Sequence, residues 1–216
     1  MKKNVTELVF ILDRSGSMHG LEKDTLGGFN AMLEKQKNME GEAYVSTILF
    51  NDRCVVVHDR EDIKRVEPMT EEQYLVGGCT ALLDALGGAI HHIGNVHKYA
   101  RKSDVPQKTL FVVITDGMEN ASHRYSLNRV KEMIQHEQNQ YGWEFLFLGA
   151  NMDAVSTAGS LGIDRDRAVT YCCDEAGTAL NYEAVERAVR NVRAGKKLSA
   201  EWKADIEADA AARCNK

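Results

Sequence analysis

The sequence predicts an α/β fold: a doubly wound, three-layer sandwich built on a six-stranded, mostly parallel sheet with one antiparallel edge strand. Three observations carry this. Short Val/Ile/Leu/Phe runs alternate with longer segments of helical periodicity. The strand-like runs are nearly continuous in apolar residues, as strands covered on both faces are. Parallel neighbours joined through right-handed crossovers then leave little choice but helices on both sides of the sheet.

The elements follow in order. Leu8 to Leu12 reads as a buried strand, and Gly20 to Lys37 as a helix with Leu21, Leu26, Phe29 and Leu33 on its inner face. Ala43 to Phe50 is a second strand. Cys54 to His58 is a short third one, joined to it through Asn51-Asp52-Arg53, a turn short enough for an antiparallel hairpin. Leu82 to Tyr99 is the clearest helix, with Leu82, Leu83, Leu86, Ile90, Ile93 and Val96 at three- and four-residue spacing. Leu110 to Thr115 reads as a fully apolar strand. Ser126 caps a helix running to about Tyr141, with Leu127, Val130 and Ile134 facing inward. Glu144 to Leu148 is a strand, Asp153 to Leu161 a short helix, and Ala168 to Tyr171 the last strand. Leu180, Ala184, Ala188 and Val192 mark a final core helix. The layout is Rossmann-like. Residues 1–195 form the domain and 196–216 a C-terminal helical extension. There Ser199 opens a helix carrying Trp202 and Ile206, read as a helix laid over the domain surface rather than a docking helix, because two apolar anchors are few.

Composition narrows the function. The chain has 216 residues, 44% hydrophobic and 27% charged, an ordinary globular balance. Lys and Arg number 27 against 32 Asp and Glu, a net charge of −5, which argues against nucleic acid and against an anionic membrane surface as partners. After Met1-Lys2-Lys3-Asn4, five apolar residues ending at Asp13 are too few for a signal segment or a membrane span, and point to the cytoplasm. Five cysteines, an odd number with no C-x-x-C pair, point to reduced thiols rather than a disulfide frame or a zinc knuckle. The sequence leaves the oligomeric state open.

In a doubly wound sheet, ligands bind outside the carboxyl ends of the strands. The first strand is followed by Asp13-Arg14-Ser15-Gly16-Ser17, and the strand ending at Thr115 by Asp116-Gly117. Gly77-Gly78-Cys79-Thr80 stands at the start of the long helix. Two carboxylates and three hydroxyls thus come to one edge. Oxygen-only donors suit hard divalent cations such as Mg²⁺ rather than Zn²⁺ or Cu²⁺. This set leaves the cation incompletely neutralised and open to an anionic oxygen from outside, and the helix after Thr80 is expected to add its N-terminal positive end. Taken singly, Asp13 reads equally well as a turn cap, Ser15 and Ser17 as helix caps, Thr80 as the N-cap of the long helix and Asp116-Gly117 as a turn. All five together do not.

This pattern, Asp13-x-Ser15-x-Ser17, then Thr80 after a Gly-Gly, then Asp116-Gly117, resembles the metal-ion-dependent adhesion site (MIDAS) of von Willebrand factor type A (VWA) domains, over residues 5 to 193. The resemblance implies that Ser15, Ser17 and Thr80 contact the metal and that Asp13 and Asp116 act directly or through water. The implied ion is Mg²⁺, with Mn²⁺ or Ca²⁺ as alternatives, and the implied function is a non-catalytic, intracellular stand-alone adaptor or scaffold that captures an Asp or Glu of a partner protein.

The competing reading is a Mg²⁺-dependent phosphatase of the haloacid dehalogenase type. It needs a second carboxylate where Ser15 stands and a lysine at a later strand end, and none follows Phe50, Thr115 or Leu148. No phosphate-binding glycine loop and no G-x-S-x-G elbow occurs. Glu119 and Asn120 are expected to line the rim, as partner contacts or solvated groups. His91 and His92 lie about 100° apart on a helix and do not chelate together. Cys79 is either a packed small hydrophobe or an oxidisable neighbour of Thr80. Asp153 caps a helix, and Met32, Met39, Met118, Met133 and Met152 are packing residues.

Overall fold

The computed structural model describes residues 2–214, with side chains from Val5 onward. Six strands form one sheet: β1 (Lys2–Asp13), β2 (Glu42–Phe50), β3 (Cys54–Asp62), β4 (Pro106–Thr115), β5 (Glu144–Gly149) and β6 (Ala168–Thr170), in the order β3-β2-β1-β4-β5-β6. Every pairing is parallel except β2 with β3, the hairpin at one edge. The helices are α1 (Glu22–Lys37), α2 (Leu82–Tyr99), α3 (Leu127–Tyr141), α4 (Ala154–Ser160), α5 (Glu175–Arg193) and α6 (Ala204–Arg213).

Strict alternation along the central strands builds two cores. Leu8, Phe10 and Leu12 of β1 and Leu110, Val112 and Ile114 of β4 face α1 and α5. Val9, Ile11, Phe111 and Val113 face α2, α3 and α4. A one-residue slip would exchange the two sets, so the register is tightly held. The chain runs outward from β1 to β2 on one side and from β4 to β6 on the other, so β1 and β4 flank the topological switch point. Leu12 pairs with Ile114 there, which sets Asp13 beside Thr115 at the same edge.

Several local expectations change. Ser126 does cap α3, its hydroxyl accepting from Arg129 N, but Leu127 is 41% exposed and only Val130 and Ile134 turn inward. Leu127 is the first helical residue, and the inner stripe begins three residues later. The segment after α5 is held more firmly than two anchors suggest. Leu198, Trp202 and Ile206 all join the α1/α5 core. Trp202 Nε1 donates to Asp166 O at 2.9 Å, and Lys203 Nζ, buried, donates to Arg165 O and Ala168 O at 2.8 and 2.9 Å. The cysteines are not all reduced: Cys172 is bonded to Cys214, 42 residues on, while Cys54, Cys79 and Cys173 are free. Spacing could not show this pair, because it forms only when α6 folds back beside β6.

Candidate metal centre

Asp13 ends β1, and its carboxylate does two local jobs. Oδ1 accepts from Ser15 N at 2.7 Å, which folds the chain into a tight turn, and Oδ2 accepts from Thr115 Oγ1 at 2.5 Å across the switch point. Tyr74 OH donates to the Asp13 carbonyl at 2.5 Å and holds the turn from below. Backbone bonds from Gly16 N to Gly78 O, 3.0 Å, and from Gly77 N to Arg14 O, 2.9 Å, clasp this loop to the segment before α2. Gly78 has φ +81, and a Cβ there would fall 2.0 Å from Asp52 Oδ1, so only glycine serves.

The hydroxyls follow from that clasp. Ser15 Oγ lies 3.1 Å from Ser17 Oγ, and Ser17 Oγ donates to Asp116 Oδ1 at 2.5 Å. Thr80 is fixed by a two-way bond with Asn120: Thr80 N donates to Asn120 Oδ1 at 2.8 Å, and Asn120 N to Thr80 O at 3.0 Å. The N-cap position of α2 falls on Ala81, so Thr80 is not the cap. All three hydroxyls converge on one hollow. A Cβ placed on Gly117 would sit 2.8 Å from Thr80 Oγ1, 3.1 Å from Ser17 Oγ and 3.6 Å from Ser15 Oγ. The five residues singled out in the sequence are therefore gathered at one point.

The electrostatics of the two carboxylates favour a cation beside them. Asp13 and Asp116 are 1% and 2% exposed. Among the described residues neither is ion-paired, and buried carboxylates without a cation are costly. Burial lifts both carboxyls above their ordinary range; for Asp13, hydrogen bonds from Thr115 and Ser15 oppose the lift and the charge of Asp116 adds to it. Hard oxygen donors gathered at one point, with Ser15 and Thr80 buried and Ser17 exposed at the surface, fit a small divalent cation. Among the described residues, no three His, Cys, Asp or Glu side chains converge as an alternative metal group.

Other candidates take structural roles. Glu119 spends its carboxylate within the chain: Oε2 accepts from Leu83 N and Ser122 Oγ, and Oε1 from Ala121 N and Ser122 N, at 2.7–2.9 Å. Ser122 Oγ accepts from Asp84 N at 3.0 Å, and Asp84 in turn accepts from the amides of His123, Arg124 and Tyr125. Two of the first free amides of α2, Leu83 N and Asp84 N, are thereby taken up by side chains of the 119–122 segment. Asp153 caps α4 through Ser156 N at 2.9 Å. His91 and His92 are both exposed, the latter 2.8 Å from Asp59. Cys79 is exposed beside Thr80. Met118, read as packing, is 70% exposed on the rim. Sequence reasoning missed Thr115, Tyr74 and Cys173, whose Sγ lies 3.7 Å from Asp116 Oδ2. Thr115 was within reach, as the residue opposite Asp13 in the strand pairing. Tyr74 and Cys173 come from segments with no periodic signal toward this edge.

No protein-family model matches the sequence, and no curated protein does. Solved structures do. The vWF domain of the type V pili tip protein Mfa5 from Porphyromonas gingivalis is similar over 90% of this chain and 97% of its own, at 11% identity and a TM-score of 0.61. A von Willebrand factor type A structure from Catenulispora acidiphila is similar over 85% of this chain and 42% of its own, at 14% identity and a TM-score of 0.55. Proximal thread matrix protein 1 from the mussel byssus, with a zinc-occupied MIDAS motif, is similar over 85% and 45%, at 16% identity and a TM-score of 0.58. The chain spans less than half the length of the last two. The structural neighbours are VWA domains, and at these identities the likeness is one of fold.

Proposed function

We propose that this chain is a metal-dependent protein-binding module with an intact MIDAS, acting as an adaptor or scaffold. The observation that carries this is the hollow at Gly117, where three hydroxyls and two buried, cation-less carboxylates meet at the switch point of a VWA-like sheet. Ser15, Ser17 and Thr80 would hold the ion, with Asp13 and Asp116 acting directly or through water. Mg²⁺ is the proposed ion, with Mn²⁺ and Ca²⁺ as alternatives. A divalent cation held there supplies an electrophilic position for an anionic oxygen.

The protein's own groups prepare that position. The Ser17 proton is spent on Asp116, so the Ser17 hydroxyl accepts from Ser15 and keeps its remaining acceptor capacity for the hollow. Thr115 and the Ser15 amide hold both oxygens of Asp13 in a single orientation. The partner is a protein that offers an Asp or Glu; the net charge of −5 disfavours nucleic acid and an anionic membrane. Among the described residues no helix is long and apolar enough to cross a membrane, and the cytoplasm is the compartment proposed. Catalysis is not part of the proposal: Ser15 stands where a phosphatase of the haloacid dehalogenase type needs its proton-donating carboxylate.

The test is capture of partners from native lysate in Mg²⁺ and in EDTA. Retention only in Mg²⁺, competed by an acidic peptide, supports the reading. Thr80→Ala should weaken the partner complex tens-fold or more, and more than it weakens the free metal site, since losing a contact of this kind costs about 2–5 kcal/mol. Hydrolysis of a generic phosphoester with Mg²⁺, abolished by Asp13→Asn, would replace this function with the hydrolase.

A further inference from the structure

Residues 172–174 carry three attachments in a row. Cys172 is disulfide-bonded to Cys214, at the end of α6. Cys173 aims its thiol at the outer oxygen of Asp116, Sγ to Oδ2 3.7 Å, while Ser17 holds the inner one. Asp174 caps α5 through Gly177 N at 2.8 Å and accepts from Arg213 Nη1 and Nη2 at 2.5 and 3.2 Å. The two ties to the C-terminal helix therefore flank the single contact to a metal-site carboxylate. The Arg213 tie is an exposed ion pair, and such pairs add little. The disulfide is the firm one.

We infer that Cys173 is a positioning residue for Asp116, and that the Cys172–Cys214 bond decides whether its thiol stays in place, so that cation affinity follows the thiol–disulfide state of the C-terminal helix. This rests on the metal-site reading above. Cys172 is 2% exposed, whereas Cys214 lies at the surface, so the reaction has a direction of entry. One thiolate of a dithiol reductant attacks Cys214 Sγ, and the Cys172 sulfur leaves and takes up a proton. The second thiolate then attacks the mixed disulfide and releases Cys214 as a thiol, while the reductant becomes a disulfide. With that tie cut, the last turns of α6 are held only by surface pairs and open locally. Residues 172–174 lose their outer anchor, the Cys173 thiol leaves Asp116, and Ser17 is the side chain that still holds the carboxylate.

The experiment is calorimetric titration of Mg²⁺ and of Mn²⁺ into the full chain, air-oxidised and phosphine-reduced, with thermal midpoints measured alongside. The oxidised form should bind about tenfold more tightly, the lower end of what a group orienting a metal ligand contributes. Cys214→Ser should show the lower affinity under both conditions. Cys173→Ala should bring the oxidised protein down to the reduced value and remove the redox dependence of affinity, while the redox dependence of the thermal midpoint, a purely structural readout, persists. Cys173→Ser keeps a donor for Asp116 and should keep both the affinity and its redox dependence. Equal affinities in the two states, redox dependence that survives Cys173→Ala, or a free Cys214 thiol in the air-oxidised protein would overturn the inference and leave the metal site standing. Absence of cation binding in both states would overturn the metal site itself, and this inference with it.

Discussion

Two neighbouring loops at the same sheet edge carry similar polar residues and do opposite things. The loop after β1 offers Asp13, Ser15 and Ser17, and the hydroxyls keep acceptor capacity facing the Gly117 hollow. The segment after Asp116 offers Glu119, Asn120 and Ser122, and backbone amides take up their acceptor oxygens. What separates the two is how much acceptor capacity remains: each Glu119 oxygen accepts two hydrogen bonds, whereas Asp13 Oδ1 accepts from one amide and Oδ2 from one hydroxyl. A helix end and its partner loop, here α2 with residues 119–125, spend their polar groups on each other: Glu119 and Ser122 on Leu83 N and Asp84 N, and Asp84 on the amides of 123–125. The β1 loop, by contrast, sets Asp13 close to Asp116 at the end of β4, and among the described residues no cationic side chain pairs with either.

The contrast can be broken most severely at Gly117. Gly117→Ala puts a methyl among the three hydroxyls without a strained backbone, so divalent-ion affinity should fall by more than about a hundredfold, with the fold intact by circular dichroism. Asp13→Asn should lower affinity nearly as far and yet leave the ion-free protein as stable or more so. The change removes a buried charge while Oδ1 still accepts from Ser15 N, and Thr115 can accept from the new amide and donate to Gly117 O, 3.1 Å away. A thermal midpoint several degrees below wild type in EDTA would contradict this.

Glu119→Ala should reverse the pattern. It strands amides at Leu83, Ala121 and Ser122, so stability should drop by about 1–3 kcal/mol, while Mg²⁺ affinity changes less than about tenfold. An affinity loss matching that of Asp13→Asn would erase the distinction between the loops. The smallest effect lies at Asp84. Burial works against its carboxylate, but the amides of His123, Tyr125 and Arg124 outweigh it and hold the pKa below the ordinary aspartate range. The native state therefore binds fewer protons here than the unfolded chain. The contribution is present above about pH 4 and is lost as pH falls through the folded value. Amide exchange at His123–Tyr125 should rise there in wild type, and Asp84→Asn should show the raised exchange already at neutral pH.

Much of this protein is legible without coordinates. Continuous apolar runs and a 3.6-residue apolar periodicity are local properties, so the six strands, the core helices and their order can be read along the chain. The switch-point rule then places Asp13, Ser15, Ser17, Thr80 and Asp116 at one edge, because strand ends and handed crossovers leave few alternatives. What remained hidden depends on which atoms meet across long separations. Whether Glu119 faces a partner or caps α2 turns on the position of Leu83 N. Whether Cys172 is a thiol or half of a disulfide turns on where Cys214 lands. Tyr74 and Cys173 reach the centre from segments whose residue types say nothing about direction. Hydrogen bonds and disulfides act over a few ångströms, and only tertiary packing decides which groups come that close.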